Sequence, residues 1–378
     1  MDDVVSIAEH QYFRAFDHVS RCNEIPFNVA NTGSLEGRVA IQDVCVTATN
    51  ICSQENEMPL LPQLKSMFEA MQTLPTPAND TTPGQLREAM HAMLEDRFYS
   101  LRTSQDPAGP EKDILIPVQD GEIVLRLYLP DDRQSPLPCH IYYHGGGFYL
   151  GTLDQSDNTC RALVRELGCA VVSVDYRLSP ENPFPVPAED SYAALLWVAQ
   201  HAVEIDVDPL RISVGGASAG GNLAAVVAQM ARDRSGPRIT AQVLEIPVTD
   251  FTSNRTLDFA GENIHIGSAK SYAPIYLREE RDAHDPLASP LLAASMRGLP
   301  PALVMCVEYD QLQPEGEAYA MRLSEAGVPT RYRCWEGQFH GSQMFDKLIP
   351  EESGAYRAEI TAFLKSMQSA TQQASKRC

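Results

Sequence analysis

Residues 211–222 read Arg-Ile-Ser-Val-Gly-Gly-Ala-Ser-Ala-Gly-Gly-Asn, a β-branched run that passes into a glycine-rich turn. An apolar stretch with the character of a helix, LAAVVAQMARD, follows at 223–233. The turn contains G-x-S-x-G at 216–220, a weak pattern by itself because Gly and Ser occur in any tight turn. Between a strand and a helix it is the signature of a nucleophile elbow, which exposes a serine hydroxyl at the carboxyl end of a sheet. We therefore expect Ser218 to be a nucleophile.

Strand and helix signals alternate along most of the chain around this turn. Helical stretches of ten or more residues separate short β-branched runs at 140–145, 170–178, 242–250, 302–310 and 330–337. This alternation predicts an α/β fold, with a mostly parallel sheet that helices cover on both faces. Upstream, two strand-like runs flank Asp120-Gly121 and predict a hairpin with a tight turn.

A second glycine-rich motif, His144-Gly145-Gly146-Gly147, follows the strand-like run at 140–143. Three consecutive glycines lose much backbone entropy on folding, so their freedom or their lack of side chains must be needed. Acyl transfer needs two or three N–H donors for a developing oxyanion, and a loop of this kind supplies them. The motif is neither G-x-G-x-x-G nor followed by G-K-[ST], so a nucleotide is disfavoured. We expect His144 to orient the loop rather than to react.

A general base should come late in the chain, because this type of fold has the order Ser, acid, His. The histidines after Ser218 are His265, His284 and His340. His340 lies in the loop EGQFHGS, directly after the last predicted strand, whereas the other two fall in a segment without strand signals. His340 is therefore the predicted base.

The acid should lie in the loop after the preceding strand. The run ALVMCVEYD ends at Asp310, which makes Asp310 the choice. Glu308 lies nearer the body of the strand. Glu315 falls in the first turn of the next predicted helix, where a carboxylate favours the helix dipole in any case.

Composition and charge disfavour several classes of function. Thirty basic and fifty acidic side chains give a formal charge of −20, which disfavours nucleic acid as a partner because phosphate binding needs clustered Lys and Arg. No apolar stretch approaches the roughly 20 residues that span a bilayer. The N-terminus lacks the basic start and apolar run of a signal peptide, so we expect a cytoplasmic protein that needs no membrane.

Cysteine and histidine spacing indicates neither disulfides nor a metal site. The nine cysteines are odd in number, irregularly spaced and without C-x-x-C, which fits free thiols in a reducing compartment. His140 and His144 would lie about 13 Å apart on an extended strand, too far to share a metal. We expect no cofactor and no metal.

The sequence divides into regions of different character. Residues 1–57 give no clear pattern and form an extension of unclear role, whereas the helical pattern of 58–105 precedes the first strand. The predicted catalytic core comprises 106–250 and 287–378. Between these parts, 251–286 lacks strand signals, has helical parts, and is positioned to form part of a lid.

Five motifs in this order resemble those of the hormone-sensitive-lipase-like esterases, the bacterial family IV carboxylesterases. They are HGGGF at 144–148, DYRLSPENPFPVPAEDSYAAL at 175–195, GASAGGNLA at 216–224, EYDQLQPEGEAYAMRL at 308–323 and EGQFHG at 336–341. The resemblance runs from about Met58 to about Gln368. It departs at Ala217, where the family usually has an acidic residue, and in the residues that follow Asp310.

The resemblance implies an α/β-hydrolase fold with an eight-stranded core, and a helical cap built from 58–105 and 251–286. It implies a triad of Ser218, Asp310 and His340. It also implies an oxyanion hole from the N–H groups of two glycines of the loop, Gly146 and Gly147 in our choice, and of Ala219. Homodimers are common in similar proteins, so a homodimer stays open here.

The expected function is that of a serine carboxylic-ester hydrolase that acts on small to medium esters through an acyl-enzyme. The same triad also serves amidases and lactonases, which the sequence does not separate from esterases. A ligand receptor of the same fold is a further alternative, but its expected sign is a missing triad residue, and all three are present.

Overall fold

The computed structural model describes residues 60–72, 83–97, 99–103, 106–133, 135–253, 258–259, 262–263 and 269–375. The predicted extension at 1–57 lies outside the described residues. So does the middle of the insertion at 251–286, apart from two short strands.

Eight strands form one sheet in the order β1-β2-β4-β3-β5-β6-β7-β8. Their bounds are β1 Glu111–Val118, β2 Gly121–Tyr128, β3 Leu137–Tyr143, β4 Ala170–Asp175, β5 Val207–Ala217, β6 Ile239–Glu245, β7 Ala302–Tyr309 and β8 Thr330–Phe339. The first two form the predicted hairpin around Asp120, β2 pairs antiparallel with β4, and all other neighbours are parallel. The predicted eight-stranded, mostly parallel sheet with flanking helices is thus confirmed.

The helices of the described residues cover both faces of this sheet. Their bounds are α1 Lys65–Gln72, α2 Pro83–Arg97, α3 Leu153–Leu167, α4 Val186–Gln200, α5 Ala219–Asp233, α6 Ala269–Tyr276, α7 Gln313–Glu325 and α8 Pro350–Ser375. Helices α4, α5 and α7 bury their apolar sides against one face, and α3 and α8 against the other. Strand β7 serves both cores, because Val304 and Cys306 point to one face while Leu303 and Met305 point to the other.

The described part of the N-terminal segment packs onto the strand ends. Leu64 and Phe68 form a small apolar cluster with Tyr309 and Phe339, and the rings of Phe68 and Phe339 have centroids 5.4 Å apart. The backbone N–H of Leu61 donates to the carbonyl of Gly337 at 2.9 Å. Residues before the first strand therefore contact the ends of the two strands that precede Asp310 and His340.

The insertion is partly helical, as expected, with α6 and a 3₁₀ turn at Glu280–His284. The expectation that it lacks strands is wrong, because Asp258–Phe259 pairs antiparallel with Glu262–Asn263. A two-residue strand is too short to show the alternation by which strands are recognised in a sequence.

The five cysteines among the described residues are free, and four of them are buried. Within the same part of the chain, no helix combines the length and the apolar character that crossing a membrane requires.

Candidate active site

Ser218 occupies a sharp turn between β5 and α5. Its backbone has φ 57° and ψ −114°, a conformation that L-residues rarely adopt and that surrounding structure must maintain. The Ser218 N–H donates to the carbonyl of Glu245 at 2.8 Å, and its carbonyl accepts from the N–H of Asn222 at 3.0 Å. A Cβ atom at Gly220 would lie 1.9 Å from the carbonyl oxygen of Tyr143, so only glycine fits there. This is the geometry that the sequence predicted for the elbow.

His340 contacts Ser218, and Asp310 contacts His340, although the three residues lie at the ends of different strands. His340 directly follows β8, and its Nε2 lies 3.0 Å from the Oγ of Ser218. Its Nδ1 lies 2.7 Å from the Oδ2 of Asp310, which directly follows β7. Asp310 is fully buried, and its other carboxylate oxygen accepts the backbone N–H of Leu312 at 2.9 Å. An imidazole held between a hydroxyl and a buried carboxylate is the arrangement that activates a serine.

The alternative acids and bases lie elsewhere. Glu308 accepts the N–H of Gly337 at 2.8 Å, and Glu315 accepts the N–H groups of Thr249 and Asp250. Burial raises the pKa of Glu315 to about 8. His284 is exposed at the end of the 3₁₀ turn, and His265 lies outside the described residues.

The orientation of the glycine loop follows from the partners of its carbonyl groups. The Gly145 carbonyl accepts from Nδ1 of His144 at 2.8 Å, and the Gly146 carbonyl accepts from the N–H groups of Tyr149 and Leu150 at 3.2 and 2.8 Å. In a planar trans peptide, the N–H of the following residue points the opposite way. The N–H groups of Gly146 and Gly147 are therefore turned away from these partners. Of the described groups, none accepts a hydrogen bond from them or from the N–H of Ala219.

His144 has the orienting position that the sequence suggested. Its ring stacks on Tyr176 with centroids 4.3 Å apart, and burial lowers its pKa to about 4, so the ring is neutral at pH 7. Because Nδ1 faces a carbonyl, it is the nitrogen that carries the proton. The loop also lies against the elbow, since a Cβ at Gly145 would be 3.6 Å from the Cβ of Ser218.

Three residues near this site were not singled out in the sequence. Glu245 is buried opposite Ala217 in the β5–β6 register and borders a cavity of about 70 Å³. Burial raises its pKa to about 7, and the adjacent Tyr356 opposes part of that effect. Its signal was a carboxylate within the apolar run QVLEIPV. Arg87 binds the carbonyl of Tyr149 and Tyr276 stacks on Phe148, next to the glycine loop, and neither residue carried a local signal.

Metal ligands do not converge in the described ranges, where no group of three or more His, Cys, Asp or Glu side chains could hold an ion. His140 instead lies 2.9 Å from the hydroxyl of Ser213, and burial lowers its pKa to about 4.

The fold and the elbow define an α/β hydrolase, and comparisons with known proteins agree. The sequence pattern of a family described as alpha/beta hydrolase fold matches residues 140–344. The chain belongs to this family, and its resemblance to the hormone-sensitive-lipase-like esterases is confirmed.

Similar proteins are esterases. An arylesterase of Saccharolobus solfataricus is 36% identical over 312 residues, which cover 80% of this chain and 99% of the relative. A carboxylesterase of Mycobacterium tuberculosis is 37% identical over 65% of this chain and 79% of its own length. Among solved structures, a hyperthermophilic esterase from the archaeon Pyrobaculum calidifontis superimposes with a TM-score of 0.75 at 36% identity, covering 82% of this chain and 99% of that one.

Proposed function

We propose that the protein is a serine carboxylic-ester hydrolase that acts on small to medium esters through an acyl-enzyme. The observation that carries this proposal is the chain of contacts from the Ser218 hydroxyl through His340 to buried Asp310, at 3.0 and 2.7 Å. The N–H groups of Gly146, Gly147 and Ala219, which have no acceptor among the described residues, support it, because acyl transfer needs donors beside the nucleophile. The esterase relatives support it independently.

In the acylation step, the Oγ of Ser218 attacks the ester carbonyl carbon while its proton passes to Nε2 of His340. Asp310 keeps the Nδ1 proton of His340 in place and stabilises the positive charge that forms on the ring. The three N–H groups donate to the oxyanion of the tetrahedral intermediate. When the intermediate collapses, His340 returns the proton to the leaving alcohol, and the acyl group remains on Ser218.

In the deacylation step, a water molecule takes the place of the alcohol. His340 removes its proton as the oxygen attacks the acyl carbon, and the same N–H groups stabilise the second oxyanion. Collapse releases the acid and returns the proton to Ser218. The core at 106–250 and 287–378 supplies these groups, and we assign the cap to 58–105 and 251–286.

A series of p-nitrophenyl esters from acetate to decanoate, with wild type and Ser218→Ala, tests the proposal. We expect turnover of the short esters, and a loss of about 10⁴-fold or more in kcat in the variant. Near-normal turnover by folded Ser218→Ala would exclude the assignment. Matched anilide and lactone substrates separate an esterase from an amidase or a lactonase. The cytoplasmic location and the homodimer stay predictions.

A further inference from the structure

Arg87 on the cap helix α2 joins three segments of the chain. Its Nε donates to the carbonyl of Tyr149 at 2.8 Å, and one terminal nitrogen donates to the carbonyl of Ser179 at 3.1 Å. Both terminal nitrogens also contact the carboxylate of Glu181, at 2.8 and 3.3 Å. A planar guanidinium can hold several acceptors at once, which an ammonium on a flexible chain cannot do in the same geometry.

The two carbonyl groups belong to the segments that set the glycine loop. Tyr149, whose carbonyl Arg87 binds, donates its own N–H to the Gly146 carbonyl. That carbonyl belongs to the same planar peptide as the Gly147 N–H, so the hydrogen bond also sets the direction of the Gly147 N–H. Ser179 donates its N–H to the Phe148 carbonyl at 2.9 Å. Arg87 therefore connects the two chain segments that hold the loop from outside.

The loop needs such support because its backbone is strained. Gly146 has φ 124°, and Phe148 has φ 68°, which is unfavourable for a side chain of this size. Conformations of this kind persist only where the surroundings maintain them. The turn has its own hydrogen bonds, from Tyr149 and Leu150 to the Gly146 carbonyl, and the contacts of Arg87 and Ser179 with Tyr149 and Phe148 add to them from outside.

The bonds to carbonyl groups matter more here than the ion pair. The Glu181 side chain is 50% exposed, and exposed ion pairs stabilise proteins little. The side chain of Arg87 is 23% exposed, and its bonds to the Tyr149 and Ser179 carbonyls are partly buried and charge-assisted. Removing the guanidinium would release both carbonyls, whereas neutralising Glu181 would leave both bonds in place.

We propose that Arg87 is a positioning residue for the oxyanion hole, through which the cap holds the Gly146 and Gly147 N–H groups in the orientation that stabilises the oxyanion. This inference rests on the proposed ester hydrolysis. It gives the proposed cap a part in the catalytic geometry.

The test compares Arg87→Ala, Arg87→Lys and Glu181→Gln with wild type on a short p-nitrophenyl ester. Arg234→Ala is the matched control, because Arg234 makes a two-bond pair with Glu189 outside the groups of this site. We expect Arg87→Ala to lower kcat about 10- to 100-fold and KM to change less than about threefold, since the loop acts mainly in the transition state. The kcat of Arg87→Lys should lie between those of wild type and Arg87→Ala. The kcat values of Glu181→Gln and Arg234→Ala should stay within about threefold of wild type.

Two further measurements separate positioning from general loss of structure. Millimolar guanidinium should raise kcat of Arg87→Ala and leave Arg234→Ala unchanged. Hydrogen exchange should become faster at 144–151 in Arg87→Ala, while 336–341 keeps its wild-type rate. The exchange measurement does not depend on ester turnover, and it applies to Arg87→Lys if the alanine variant does not fold.

The outcomes are distinct. A folded Arg87→Ala with kcat within threefold of wild type, or with unchanged exchange at 144–151, overturns the inference. So does a kcat loss that guanidinium does not reverse and that Arg234→Ala shares. If wild type itself hydrolyses no ester, the proposed function fails, and the exchange measurement still decides whether Arg87 holds the loop.

Discussion

The two halves of the active site are held in different ways. On one side, the sheet itself positions the proposed reacting groups: the backbone carbonyl of Glu245 at the end of β6 accepts the Ser218 N–H, and Asp310 and His340 directly follow β7 and β8. On the other side, side chains of 58–105 and 251–286, the two segments that we propose as the cap, contact the backbone and the ring next to the glycine loop. Arg87 binds the Tyr149 carbonyl, and Phe148 stacks on Tyr276 of the insertion.

This difference indicates that two parts of the molecule set the catalytic geometry. The nucleophile and its base depend on strand ends whose positions follow from the buried core. Residues 58–105 also contact this side, through Phe68 against Phe339, but there they meet the end of a strand rather than a free loop. We propose that the two glycine donors depend on Arg87 and Tyr276, which lie far apart in the chain, whereas the Ala219 donor belongs to the elbow. Changes on the core side should abolish the chemistry, and changes in the cap should weaken transition-state binding.

The largest effect is expected from His340→Ala, which removes the base and leaves the sheet intact. We expect kcat on a short p-nitrophenyl ester to fall about 10⁴- to 10⁶-fold, because serine loses its proton acceptor. His284→Ala is the control, since His284 is exposed in the insertion, and it should keep kcat within about threefold. Comparable losses in both variants would contradict the assignment of His340.

Gly146→Ala changes the glycine loop, the other half of the site, directly. A Cβ at this position would lie 2.3 Å from the carbonyl oxygen of Leu150, and the φ of 124° is unfavourable for alanine. The loop must shift, and we expect kcat to fall about 10²- to 10³-fold, as for loss of an oxyanion donor. Gly354→Ala in α8 is the control, because a Cβ there meets nothing within 4 Å. An unchanged kcat in Gly146→Ala would remove the loop from the mechanism.

Tyr276→Leu tests the second cap contact. The rings of Tyr276 and Phe148 stack with centroids 3.7 Å apart and planes 12° apart, so loss of the aromatic ring should loosen the loop and lower kcat about tenfold. The buried Tyr276 hydroxyl has no hydrogen-bond partner among the described residues. Tyr276→Phe should therefore keep kcat and stability near wild type. Equal losses in both variants would assign the effect to the hydroxyl and contradict the role of stacking.

The smallest effect on turnover is expected from Glu245→Gln, which should change stability instead. Because burial raises the Glu245 pKa from 4.5 to about 7, the folded protein keeps a proton that the unfolded chain has released between these pH values. Wild-type stability should fall as pH rises through this window, by up to about 3 kcal/mol from this residue. Glu315, whose pKa is raised to about 8, should extend the decrease.

Urea unfolding of wild type and Glu245→Gln between pH 4.5 and 8 measures this effect. The variant should lose part of the decrease and be more stable than wild type at pH 8, with kcat within about threefold. Glu336→Gln changes an exposed carboxylate and is the control. Parallel stability curves for wild type and Glu245→Gln would show that Glu245 does not carry the proton.

Much of the fold and the site could be predicted from local patterns. The elbow at 216–220, the glycine loop and the strand ends before Asp310 and His340 all have signals within a few residues. The short strands at 258–259 and 262–263 were missed, because two residues cannot show a period. Arg87 and Tyr276 were missed for another reason. Their partners are 62 to 128 positions away in the chain, and nothing next to them in the sequence marks the contact.

The sequence by itself therefore determined the class of fold and predicted Ser218 as nucleophile with His340 and Asp310 as its partners, because these inferences depend on alternation, turn chemistry and chain order, which can be read along the chain. Only the tertiary structure decided which way the glycine N–H groups point, that Arg87 and Tyr276 contact the residues next to them, and that Glu245 is buried opposite Ala217. These depend on contacts between segments distant in the chain, and such contacts form only when the sheet brings its strand ends together.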